Sequence, residues 1–174
     1  MQDGQATMLL EREIELAALD ELFARTAAGR GGAVLIEGAP GLGKSTLLSR
    51  AAETARDAGL SVARARGHEL EQAFGWGAAR GLLERPVAAC TDDERAELLA
   101  GPAAPARAVL HPAAEPGLPP TDATGFAVLH ALHWVALRLA ERAPTALLVD
   151  DAHWVDEPSL RFLAYLVGRI ADEP

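Results

Sequence analysis

The chain has 174 residues, nearly half of them apolar, and a formal net charge of −9, which fits one domain with a real core and argues against binding DNA or an anionic membrane unaided. Cys90 stands alone, so a disulfide framework and a zinc set are excluded. No apolar run reaches the ~18 residues a transmembrane helix needs, and the short polar start, Met1 to Thr7, is not a signal peptide, so a reducing cytoplasm is the expected compartment.

In chain order, residues 9–30 predict an entry helix. Its amphipathic part runs from Glu13 to Ala24 with Ile14, Ala17, Ala18 and Leu22 on one face. Gly29 to Gly32 end it. Residues 33–59 predict a strand, a Gly-rich loop and a helix. Ala33-Val34-Leu35-Ile36-Glu37 reads as a buried parallel strand. After the loop, Leu47, Leu48, Ala51, Ala52 and Ala55 recur at helical spacing, and Gly59 stands where a C-cap belongs. Residues 60–100 predict a second strand at Leu60 to Ala65, a helix near Phe74 to Glu84, and a capping box at Thr91-Asp92-Asp93-Glu94 opening a short helix to Ala100. Prolines crowd residues 101–120, which predicts an irregular, mobile loop. In residues 121–174, Thr121 or Asp122 caps a long helix through Arg142, with Phe126, Leu129, His133, Ala136, Leu137 and Ala140 as its inner stripe. Pro144 breaks that helix before an apolar strand, Thr145 to Val149. Asp156, with Pro158 in the first turn, starts the last helix, whose core face is read as Leu160, Leu163, Val167 and Ile170.

The chemistry concentrates in Gly38-Ala39-Pro40-Gly41-Leu42-Gly43-Lys44-Ser45-Thr46, a complete phosphate-binding loop of the G-x-x-x-x-G-K-[ST] type, or Walker A. Its glycines let the backbone curl so that successive N–H groups face an anion. Lys44, the only lysine in the chain, reaches phosphates as a point charge. The Ser45 hydroxyl is placed to ligate Mg²⁺. The helix after the loop adds its orphan donors and its positive end. The second half of such a site is an apolar strand ending in acid, a Walker B strand, and Asp150 and Asp151 supply it. Asp150 would hold Mg²⁺ directly or through water, and Asp151 would orient or deprotonate an attacking water. An Asp pair that caps the next helix is the alternative when the strand is taken alone. The full loop about a hundred residues upstream decides between the two.

Two histidines, His130 and His133, sit three apart on one helix and invite a metal, but no carboxylate or thiol there completes a site, and satisfied histidines at the core boundary are the stronger reading. Arg64 and Arg66 alternate on a strand and share a face, as a trans-acting arginine pair or as a solvated edge. Trp76 reads as core packing.

The segments GAPGLGKST and LLVDDAHWVDEPSLRFL resemble the ATPase domain of the large ATP-binding LuxR-family transcriptional regulators, which are signal-transduction ATPases related to the AAA+ and Orc1-like enzymes. Leu9 to Leu16 resembles the entry segment L-x-G-R-E-x-E-L, with Glu11 where the family often has Gly. Arg64 to Glu71 and Phe74 to Gly77 resemble the stretch after the second strand, and His153 with Trp154 resembles its D-D-x-H-W pattern. The likeness spans about Leu9 to Leu166. It implies a three-layer α/β P-loop NTPase fold of the ASCE type with a mostly parallel sheet. It implies Mg²⁺-ATP as the ligand and hydrolysis as the chemistry, with Lys44 and Asp151 catalytic and Ser45 and Asp150 on the metal. ATP rather than GTP rests on the resemblance alone. Arg12 would touch adenine or ribose, or be a solvated charge in the first helical turn. The family's winged-helix, repeat and helix-turn-helix segments are not in this sequence. Nor are a strand expected between those of Val34–Glu37 and Ala146–Val149, a further strand and the helical lid, so the chain reads as the front part of an ATPase domain with an incomplete sheet. Self-association through that gap, or direct pairing of the two strands across it, is the expectation. Two alternatives stay open: an ATP/ADP-operated switch that barely hydrolyses, and a remnant that acts only as an interaction piece.

Overall fold

The computed structural model describes residues 12–110 and 122–170. At its centre two parallel strands, β1 (Ser61–Arg66) and β2 (Thr145–Asp150), pair in register from Ser61 opposite Thr145 to Arg66 opposite Asp150. Alternation along each strand sends side chains to two different cores. Val62 and Ala146 face α1 (Glu13–Ala27) and α2 (Lys44–Asp57), where Leu19, Phe23, Leu47, Ala51, Ala55 and Leu60 are buried. Ala63, Ala65, Leu147 and Val149 face the larger core on the opposite side. That layer is built from α3 (Gly77–Ala88), α4 (Asp92–Leu98), α5 (Arg107–Leu110), α6 (Asp122–Arg142) and α7 (Glu157–Ile170). The result is a helix-rich α/β arrangement of three layers around a two-stranded parallel sheet.

Local signals explain several boundaries. Gly59 at φ +83° follows α2. Its N–H donates to Arg56 O and that of Leu60 to Ala55 O, the two bonds of a Schellman ending. The capping box opening α4 is formed on both sides. Glu94 N–H donates to Thr91 Oγ1 at 3.4 Å, and Thr91 N–H donates to Glu94 Oε2 at 2.8 Å. Helix C-termini are closed by arginines. Arg95 donates to the carbonyls of Val87, Ala88 and Cys90 behind α3, and Arg138 donates to those of Glu97, Leu98 and Ala100 behind α4.

Other expectations need correction. Ala33–Glu37 is not a strand: it pairs with neither β1 nor β2, and Val34 and Leu35 are exposed. Only Ile36 packs on the α1–α2 core. A strand is a property of a pair, and none of the described residues ladders with this segment. Direct pairing with β2 across the gap does not occur. Residues 101–110 are helical, a 3₁₀ turn over Gly101–Ala106 followed by α5, rather than irregular. Pro102 is tolerated there because the first turn has no intrahelical use for its missing N–H, and Ala103, Ala106, Val109 and Leu110 gain burial in the large core. The rest of the proline-rich stretch, and the Thr121 cap, lie outside the described residues.

The buried faces of three helices also differ. On α1 they are Leu19 and Phe23, while Ile14 is exposed. On α6 they are Val128, Leu129, Ala131, Leu132, His133, Val135 and Leu139, with Phe126 exposed. On α7 they are Ser159 and Phe162, while Leu160 and Val167 are 41% and 50% exposed.

Glu94 also pairs with Arg142 at the end of α6. The Thr91 N–H first, and then Arg142, hold the Glu94 carboxyl down at about 2. A carboxyl whose pKa is lower folded than unfolded stabilises above its unfolded value of roughly 4.3 and loses that contribution as pH falls toward about 2. Thermal midpoints of Glu94→Gln should therefore fall less steeply than those of the parent between about pH 4.5 and about pH 2. Parallel curves would show that this pair carries no acid sensitivity.

Candidate active site

The phosphate loop takes its shape from its residue types. Pro40 fixes the first inner position of a turn and Gly41, at φ +82°, takes the second. Leu42 N–H closes it on Ala39 O at 3.4 Å, the pattern of a type II turn. Gly43 follows at φ +72° as the N-cap of α2, and no side chain caps that helix. Its first-turn donors are thereby left for a ligand, and an anion is what a helix N-terminus favours.

Lys44 folds back over the loop. Its Nζ donates to the carbonyls of Gly38 at 2.8 Å and Ala39 at 2.9 Å. Ser45 Oγ donates to Asp150 Oδ1 at 3.0 Å, so the start of α2 and the end of β2, separated by 105 positions in sequence, meet directly. The Asp151 N–H donates to the same Oδ1 at 3.0 Å. Two hard oxygen donors side by side, a hydroxyl and a carboxylate, form a donor set suited to Mg²⁺. Thr46 lies in the first turn of α2, half-buried.

Asp151 turns the chain out of β2 with φ +49° and ψ +48°, a left-handed conformation that Asp tolerates better than most residues. Its carboxylate is engaged by Arg66 of β1, whose Nε and NH2 reach Oδ2 at 2.8 and 2.7 Å. Arg66 is 60% exposed, as a solvated edge would be, and the ion pair gives it a specific partner. The parallel register sets this pair, because Arg66 stands opposite Asp150. That register was the signal that reading Arg64 and Arg66 along a single strand missed. Arg64 reaches Ser49 Oγ on α2 at 3.3 Å.

Beyond the strand ends the backbone closes tightly. Gly67 N–H donates to Asp150 O at 3.0 Å, extending the ladder by one bond. A Cβ on Gly67 would lie 2.4 Å from Asp151 O, 2.7 Å from Trp154 C and 2.7 Å from Val155 N, all backbone atoms. Asp156 does more than start α7. Buried to 3% exposure, it accepts from the N–H groups of Trp76 (2.7 Å), Ala78 (3.3 Å) and Ser159 (2.9 Å), and so caps α3 and α7 together. Ser159 Oγ accepts from Ala79 N–H at 3.0 Å. The cap also holds Trp76 at φ +70°, unusual for so bulky a residue.

The remaining candidates take other roles. Arg12 donates through NH2 to Leu42 O at 2.9 Å, within the loop. His153 is exposed beside Trp154, and its carbonyl accepts from Gln72. The His130 ring nitrogens are engaged by Tyr165 Oη (2.9 Å) and Trp134 Nε1–H (3.0 Å), and His133 is buried. No group of three or more metal-ligating side chains is found among the described residues, and no described helix is long and apolar enough to cross a membrane.

A family model described as AAA ATPase domain matches residues 8–173. Neither the curated proteins nor the solved structures give a match.

The clearance at Gly67 yields a direct test. Gly67→Ala forces backbone apart at the base of Asp151 and should cost about 2 kcal/mol or more, as overpacking does. Urea unfolding monitored by circular dichroism would read this as a lowered midpoint, and an unchanged midpoint would refute the close approach.

Proposed function

We propose that this chain, which belongs to the AAA ATPase domain family, binds Mg²⁺-ATP at the Gly38–Thr46 loop and hydrolyses it. Membership makes it a P-loop NTPase domain and supports nucleotide binding with Mg²⁺. The assignment of residues is ours. The observation that carries it is the Ser45–Asp150 hydrogen bond of 3.0 Å, which joins the two halves of the site. In this reading Gly38, Ala39, Pro40, Gly41, Leu42, Gly43 and Thr46 line the phosphate chain, Pro40 shaping the turn and the others supplying backbone N–H groups. Lys44 stabilises charge on the transferring phosphoryl, and Ser45 with Asp150 would hold Mg²⁺. When bound, the cation neutralises phosphate charge and orients the phosphate oxygens. Asp151 accepts the proton of the attacking water.

The regulator resemblance extends the proposal. The chain is the ATPase module of a LuxR-type transcriptional regulator with an ASCE strand order, in which residues 9–30 are the entry helix, 33–59 the Walker A unit and 121–174 the Walker B unit. It works in the cytoplasm and does not itself contact nucleic acid.

One observation favours a second reading, a switch that holds ATP or ADP with little turnover. Arg66 already occupies the Asp151 carboxylate, and a base tied in an ion pair is less available to a water. Asp is also shorter than Glu at that position.

Lys44→Ala should weaken ATP roughly tenfold to a hundredfold, through loss of a charge-assisted contact. Titration calorimetry that finds parental affinity in this variant would sink the site assignment. Asp151→Asn separates the two readings, because an amide cannot take the proton. Mg²⁺-ATP binding should persist while phosphate release falls at least a hundredfold. A parent with tight binding but release no faster than Asp151→Asn identifies the switch.

A further inference from the structure

Arg12 is not part of the phosphate-loop motif, yet its side chain reaches the loop from the N-terminus of α1. One guanidinium nitrogen, NH2, donates to Leu42 O at 2.9 Å. The other, NH1, is paired with Glu15 on the same helix at 2.5 Å. The hydrogen bond from Arg12 is also the main reason the Glu15 carboxyl sits below its ordinary range. The guanidinium is therefore held from behind by its own helix and presents its remaining face to the loop.

The carbonyl it holds belongs to the peptide joining Leu42 to Gly43. That peptide is trans and planar, so its C=O and N–H point in opposite directions. With the Leu42 oxygen drawn toward Arg12, the Gly43 N–H is turned away from α1. Among the described residues that N–H donates to no acceptor. Glycines at φ +82° and +72° flank Leu42. Gly43 gives this peptide little resistance to rotation on one side; the Leu42 N–H and the Gly43 carbonyl are held by Ala39 O and Leu47 N–H, and Arg12 is the contact on the Leu42 carbonyl itself.

We infer that Arg12 is a positioning residue for the phosphate loop: by bonding the Leu42 carbonyl it aims the Gly43 N–H at the bound phosphates, and it acts on the phosphate chain rather than on base or ribose. The inference rests on the nucleotide-binding reading above.

The test compares Arg12→Met, which removes charge and donor, with Arg12→Gln, which removes charge and keeps an N–H donor. Each full-length variant is titrated with Mg²⁺-ATP and with inorganic tripolyphosphate, and the Gly43 amide is followed by ¹⁵N–¹H correlation spectra. Positioning predicts that Arg12→Met weakens both ligands by the same factor, about fivefold to thirtyfold. Arg12→Gln should recover part of that loss, and the Gly43 amide of the ligand-free protein should shift in the Met variant. A loss for ATP with tripolyphosphate unchanged would place Arg12 on the nucleoside and overturn the inference. So would equal losses in Met and Gln variants with an unmoved Gly43 amide, the mark of a distant charge. Parental affinity for both ligands in Arg12→Met overturns the inference alone, whereas a parent protein that binds neither ligand overturns the nucleotide reading together with it.

Discussion

The in-register pairing of β1 with β2 sets the height at which Arg66, Asp150 and Asp151 emerge toward the start of α2. Arg66 stands opposite Asp150, and the next residue on each strand leaves the sheet: Gly67 on one side, Asp151 on the other. A one-residue slip would turn the slipped strand's side chains to the opposite face: in β2 it would send Asp150 away from Ser45, and in β1 it would send Arg66 away from Asp151. The absence of a side chain at Gly67 is the counterpart of that register, because the segment Asp151–Val155 folds back into the space a Cβ would take.

Around that pair the chain relies on arginine in one recurring way, as a donor to backbone carbonyls. Arg95 and Arg138 each gather several carbonyls where a helix ends, Arg107 puts two donors on the Leu99 carbonyl, and Arg12 puts one on a carbonyl of the phosphate loop. The planar fork of five donors suits this task better than an ammonium does. Lysine appears once, at the position where a compact, mobile charge is wanted, and there its Nζ rests on the Gly38 and Ala39 carbonyls.

Much of this was legible in the sequence. Pro40, Gly41 and Gly43 announce the loop, Thr91 and Glu94 announce a helix start, and the run from Thr145 to Asp150 is a strand that ends in acid. These are local rules in which one residue type meets one backbone need. The buried faces of the helices were not legible, for a physical reason. In α7 the rotational phase is fixed by polar contacts at its N-terminus, where Asp156 and Ser159 bond α3, and so Phe162 turns inward while Leu160 and Val167 face out. An apolar stripe read alone favours the leucine-rich face. In α6 apolar residues surround the helix, so its sequence fits several phases and packing against the 3₁₀ segment and α7 chooses among them. Ala33–Glu37 has the composition of a buried strand, but composition cannot supply the neighbour that makes a strand. The Arg66–Asp151 pair was hidden for a similar reason, since it joins residues 85 positions apart.

The shared cap at Asp156 has a mechanical meaning. Two helices that begin on one carboxylate have a common fulcrum, and neither can tilt at that end without pulling on the other. Only a short stretch of chain separates the fulcrum from Asp151. A displacement of Asp151 would thus enter α3 and α7 as one paired stroke, and the body that carries it is the large core on the far side of the sheet from α2.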